Sequence, residues 1–154
     1  MTLFRYKNKD DKNVSRKRFI RTCSEGDVID LSKVSDPAVA SKILGEGFGV
    51  VCTSKEIKAP VSGIIKDVSD EGHSYAITSP DGVELLVFIT GKGESDRIEP
   101  KVSEGHEVKA GDLLCVKENA EVSVIVTNVE IFSKYRIALG KAKSSSDGVI
   151  VYEI

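Results

Sequence analysis

The side chains of this 154-residue sequence with the widest chemical reach are two histidines, His73 and His106, and three cysteines, Cys23, Cys52 and Cys115. Neither histidine has a second His or Cys at a metal-ligand spacing, so no zinc centre and no cofactor are expected. The cysteines are widely spaced, odd in number and form no CxxC pair, the usage of reduced core residues in a cytosolic protein. His106 falls among the glycines and acidic residues of 104–112, a polar turn that suits an exposed structural role. His73 differs, because it follows Gly72 at the start of an expected strand whose hairpin partner carries Phe88.

Two glycine-rich stretches suggest phosphate loops and fail on context. Gly45-Glu46-Gly47-Phe48-Gly49 follows a helix and opens a strand, the reverse of a dinucleotide loop, so it reads as a helix stop. Thr90-Gly91-Lys92-Gly93-Glu94-Ser95 lacks the GxxxxGK[ST] spacing and reads as a surface loop.

The elements that must position these residues are short β-rich runs cut by Gly, Pro, Asp and Ser: FIRTC, DVIDL, FGVVCT, SGIIKDV, SYAITS, VELLVFIT, DLLCVK, EVSVIVTNV and VIVYEI. They predict an all-β antiparallel sandwich or barrel with one or two short helices. Ser79-Pro80-Asp81-Gly82 presets a tight reversal and joins two of the runs as a hairpin. The unbroken apolar stretch 85–89 predicts a central strand buried on both faces. Ser35-Asp36-Pro37 caps a helix of two to three turns over AVASKIL, stopped at Gly45. A second segment, EIFSKYRIA, has some helical spacing. The stretches 58–63 and 102–105 echo each other as turns feeding apolar residues, as in a barrel-sandwich of similar β-units.

The remaining composition narrows the function classes. Charged residues make up 30% of the chain and nearly cancel, 22 Lys+Arg against 24 Asp+Glu, so a nucleic-acid protein working through a broadly basic face is excluded. No stretch approaches a membrane span or a signal peptide, so a cytoplasmic protein is expected. Residues 1–17 form a basic arm with few apolar positions; Leu3, Phe4 and Tyr6 among its cations leave it as the one conceivable membrane contact. Residues 18–154 are expected to fold as a single domain.

The segments VIDLSKVSDPAVASKILGEGFGVV, IKAPVSGIIKDV, His73 before SYAITS, DGVELLVFITG and VSEGHEVKAGDLL together resemble glucose-type enzyme IIA of the bacterial phosphoenolpyruvate-dependent sugar phosphotransferase system. The resemblance covers residues 19–154. It implies an antiparallel β-sandwich that takes a phosphoryl group on histidine from the histidine phosphocarrier protein and passes it to a permease IIB domain. It also implies two facing histidines on neighbouring strands. The first matches His73, and the second, the phosphoryl acceptor, falls on Phe88. A phenyl ring has no lone pair, so Phe88 cannot hold phosphate. The surroundings depart from the family as well: Glu71 replaces a threonine, Thr90 a glycine, and Lys92-Gly93-Glu94 an aspartate-threonine-valine.

The resemblance therefore implies a IIA-like binding component whose catalytic position is occupied by Phe88. Its docking face would comprise Val39, Phe48, Glu71, Ile89, Thr90 and Glu94, with partners among the phosphocarrier protein, the permease IIB domain or a regulated enzyme. Aromatic anchors in a hollow suit such an interface. An active phosphocarrier using His73 is the alternative from the enzyme class, and Phe88 as ordinary core filling is a further one. A biotinyl- or lipoyl-like carrier is disfavoured because its lysine between methionines is missing, Met1 being the sole methionine.

Overall fold

The computed structural model describes residues 18–91 and 97–154; the arm 1–17 and the loop position Glu94 lie outside the described residues. Strands follow in chain order as β1 (Arg18–Arg21), β2 (Gly26–Asp30), β3 (Glu46–Cys52), β4 (Glu56–Lys58), β5 (Gly63–Val68), β6 (Ser74–Thr78), β7 (Glu84–Gly91), β8 (Glu107–Val108), β9 (Leu113–Val116), β10 (Ala120–Val126), β11 (Lys134–Ile137), β12 (Gly140–Ala142) and β13 (Gly148–Glu153). Helix α1 is a single turn, Pro37–Ala40. The main sheet has eight strands in the order β12-β2-β3-β10-β7-β6-β5-β8, with a three-stranded sheet β1-β13-β11 and a pair β4-β9. The ladders are antiparallel, as expected of an all-β sandwich.

Period-two alternation sorts the main sheet into two faces. Val28, Phe48, Val50, Ile65, Tyr75, Ile77, Val87, Ile89 and Val122 point inward and meet Ile20, Ile150, Ile57 and Leu114 of the smaller sheets in one core cluster. The opposite, outer face is closed only in part. Leu31, Val34, Val39 and Ile125 form a second, smaller cluster there, with Ile29, Ala40, Leu86 and Phe88 packed against it.

The hairpin at 79–82 forms as expected: Thr78 pairs with Glu84, Ser79 N donates to the Val83 carbonyl at 3.0 Å, and Gly82 takes φ of +91°. Strand β7 is central, between β10 and β6. Its burial on both faces is corrected: Leu85, Val87 and Ile89 are buried, whereas Leu86 and Phe88 remain half-buried, because the short cover on the outer side does not seal them. The helix is also shorter than expected. Asp36 caps it through Ala38 N and Val39 N, but Lys42 turns to φ of 64° and ends it three residues before Gly45. EIFSKYRIA supplies a 3-10 turn at Val129–Ile131 and then β11; Lys134 to Ile137 pair along β13, and that ladder outweighs weak helical spacing.

Candidate functional site

The half-covered outer face brings most of the predicted site together. In the ladders Phe88 stands opposite Ser74 on β6 and Ser123 on β10, and Leu86 stands opposite Ala76 and Ile125. All six side chains therefore share that face. Gly49 and Ile29 continue it across β3 and β2. Val39 is buried at the base of α1 in the cluster that Phe88 packs against, so helix and sheet meet beside the phenyl ring. Just beyond the helix, Ile43 is 79% exposed and Leu44 44% exposed, an apolar rim with no protein cover.

His73 borders the face and is half-buried. Gly72 precedes it at φ of +76°, where an added Cβ would strike the Ile98 carbonyl, so the turn requires glycine. Ser69 Oγ accepts from both His73 N and Ser74 N at 3.0 Å, and the His73 carbonyl accepts from Ile89 N at 2.7 Å. These bonds fix the histidine backbone one ladder step from the Ser74–Phe88 pair. Glu71 is exposed in the same turn and its carbonyl receives Ile98 N. Thr90 reaches the Glu121 carbonyl oxygen at 3.3 Å through its Oγ1. The Glu121 carboxylate in turn accepts from Ser35 N at 2.9 Å and Ser35 Oγ at 3.1 Å, tying the segment before α1 to the sheet.

Three expected face residues are corrected: Val39 lies on the outer side of the sheet but is buried in the cluster under α1 and presents no surface. Phe48 and Ile89 are fully buried in the main core, because strand alternation turns them away from the face that holds Phe88. Neither can offer a side chain to a partner. The sequence reading in turn missed Leu86, Ser74, Ser123, Glu121, Ile43 and Leu44. Leu86 and Ser74 were accessible to it, since period two from Phe88 and the hairpin register name them; Ser123, Glu121 and Ile43 depend on non-local pairing and on where the helix stops. His106 lies beside the edge strand β8, with its carbonyl accepting from Ile65 N, remote from the Phe88 ladder position. Among the described residues no group of three or more His, Cys, Asp or Glu could hold a metal ion. Among the described residues no helix is long and apolar enough to cross a membrane.

Chemically, the face offers one bordering imidazole, a central half-buried phenyl ring, the Ser74 hydroxyl and an apolar rim, while Ser123 is buried. That set suits contact with a protein surface, and Phe88 brings no lone pair to its centre.

Comparisons with known proteins agree with the fold. The glucose-specific EIIA component of the sugar phosphotransferase system from Buchnera aphidicola is 31% identical over 148 residues, covering 88% of this chain and 92% of the relative. That of Halalkalibacterium halodurans is 32% identical over 155 residues, covering 91% and 90%. The structure of glucose permease IIA from Mycoplasma capricolum superposes with a TM-score of 0.75 over 88% of this chain and 96% of that one, at 24% identity, and so shares the β-sandwich fold. The model of the family described as phosphoenolpyruvate-dependent sugar phosphotransferase system, EIIA 1, matches residues 19–131, and the chain belongs to that family.

Proposed function

We propose that this protein is a glucose-type IIA component that acts by binding partner proteins through the outer face around Phe88 and does not itself carry phosphate. The observation that carries the reading is Phe88, half-buried at the centre of that face opposite Ser74 and Ser123, at the position where the resemblance puts the acceptor histidine. Phosphoryl transfer needs a ring nitrogen lone pair, which phenylalanine lacks. The half-buried ring, packed against the cluster under α1 with Ile43 and Leu44 exposed just past the helix, is the kind of apolar centre that protein interfaces use as an anchor. The fitting partners are the histidine phosphocarrier protein and the permease IIB domain, met in the cytoplasm by residues 18–154 as one domain.

A second reading keeps the chemistry and moves it to His73, favoured by the close tie between its backbone and the Phe88 strand. An acid-labile adduct lost in His73→Ala would identify that carrier. The binding reading is tested by titrating the protein with each of the two partners. Native protein binds at least one of them, and Phe88→Asp and Ile43→Asp each weaken binding about tenfold or more while leaving the thermal transition cooperative. Failure of both partners to bind, or equal binding by both variants, refutes it.

A further inference from the structure

We infer that a basic cleft at the Thr78 end of the main sheet is a second binding site, for a small phosphate ester that carries hydroxyl groups. The cleft has a volume of about 770 Å³ and merges, through Arg21, Ser62 and Ser79, with a neighbouring hollow of about 500 Å³. Such volumes suit small ligands. It lies apart from Phe88 along the same side of the sheet: Thr78 is four residues along β6 from Ser74, about 13 Å at the usual rise per strand residue.

Three cations line the cleft, Arg21, Lys66 and Lys109, and among the described residues none of them has a carboxylate partner. Arg21 is the telling one, since it is half-buried and, among the described residues, its guanidinium has no polar contact to offset its partial desolvation. The strand register shifts between Ile20 and Arg21, an irregularity that re-aims the side chain, while Arg21 N is held by the Pro60 carbonyl at 2.9 Å. Gly111, at φ of +96°, leaves space beside the guanidinium; a Cβ there would lie 3.9 Å from it.

The acidic residues nearby do not cancel this charge. Asp81, in the adjoining hollow, is already engaged by Arg18 Nε at 3.0 Å, the Tyr152 hydroxyl at 2.8 Å and Ser79 Oγ. Glu107 lies on the exposed rim and forms no ion pair with Lys109. Asp112 accepts from Lys109 N at 2.8 Å and stays outside the lining, so three cations face one exposed lining carboxylate; that favours a dianion, and an arginine fork matches phosphate oxygens. The Ser62 hydroxyl accepts from Ala110 N at 2.9 Å and keeps its own proton to donate; Thr78 adds a second hydroxyl to the wall. Those groups suit a polyhydroxylated body attached to the phosphate.

The test is calorimetric titration of the whole protein with glucose 6-phosphate, inorganic phosphate and glucose in parallel. The ester binds, more tightly than inorganic phosphate, and glucose does not. Arg21→Gln lowers affinity about tenfold or more, and so does Lys66→Gln combined with Lys109→Gln, two exposed positions whose exchange leaves the fold intact. Phe88→Asp, at the Ser74 end of the sheet about 13 Å away, leaves ester binding in place. No binding of the ester, equal binding of inorganic phosphate, or undiminished affinity in the double lysine variant overturns the assignment; loss in Phe88→Asp would assign the ligand to the docking face instead.

Discussion

Gly49→Ala is the substitution that most directly probes how the outer face is assembled. Gly49 lies on β3 opposite Ser123 and Ile29, beneath the segment that leads into α1. A Cβ there would land on Val34 Cγ1 and press on Ile29 Cγ1 at 3.1 Å. Val34 belongs to the cluster with Leu31, Val39 and Ile125 against which Phe88 packs, so the methyl group lifts the cover of the site and leaves the main core untouched. Overpacking of this kind costs about 2 kcal/mol, within the usual range of about 1–3. Val34→Ala alone removes two buried methyl groups at about 0.8 kcal/mol each, about 1.6 kcal/mol in all. In the double variant the clash disappears, so its cost stays near that of Val34→Ala and the two changes couple by about 2 kcal/mol. Urea unfolding of the four proteins reads this out, and in thermal melts Gly49→Ala alone falls by about 4–8 °C. Additive losses, or a Gly49→Ala protein as stable as native, would refute the packing argument.

The thiols should be inert in the folded state: burial pushes Cys52 and Cys115 up to about 11 and Cys23 well above its ordinary value. At pH 8 that leaves about one thiolate in a thousand at Cys52, so iodoacetamide labels the native protein far more slowly than the unfolded one, as intact mass will show. Tyr75→Phe should leave stability unchanged or raise it by up to about 1 kcal/mol in urea unfolding, because the buried hydroxyl has no hydrogen-bond partner beyond the weak thiol of Cys115 beside it. Asp30 accepts from Ser32 Oγ at 2.7 Å and Ser32 N at 2.9 Å, which lowers its pKa. A lowered folded pKa stabilises above the ordinary carboxylate value of about 3.9 and is lost as pH falls through the folded value, so native protein exceeds Asp30→Asn in urea midpoint at pH 7 and the gap closes on strong acidification.

Much of the fold was legible because its signals are local. The turn at 79–82 carries its own backbone preferences, and the nine apolar runs each contain most of a strand. The short strands β4, β8 and β12 were not legible: two or three residues carry no periodicity, and they exist because longer partners supply their ladders. Facing was the harder inference. An apolar run such as 85–89 looks the same whether both sides are sealed or one is half open, and the difference lies in a one-turn helix whose end depends on Lys42. The same ambiguity misplaced Phe48 and Ile89 on the outer face, whereas His73, Phe88 and Thr90 could be located from the hairpin; Val39 could be located from the helix cap, but its burial there could not. The cations of the second cleft come from β1, β5 and the turn after β8, which only the folded chain brings together.

If the Phe88 face docks partners without accepting phosphate, as proposed, incubation with phosphoenolpyruvate, enzyme I and the histidine phosphocarrier protein leaves the native protein without an added phosphoryl group by intact mass, and Phe88→His, run alongside, gains one. A phosphoryl group on the native chain, at His73 or elsewhere, would contradict that proposal.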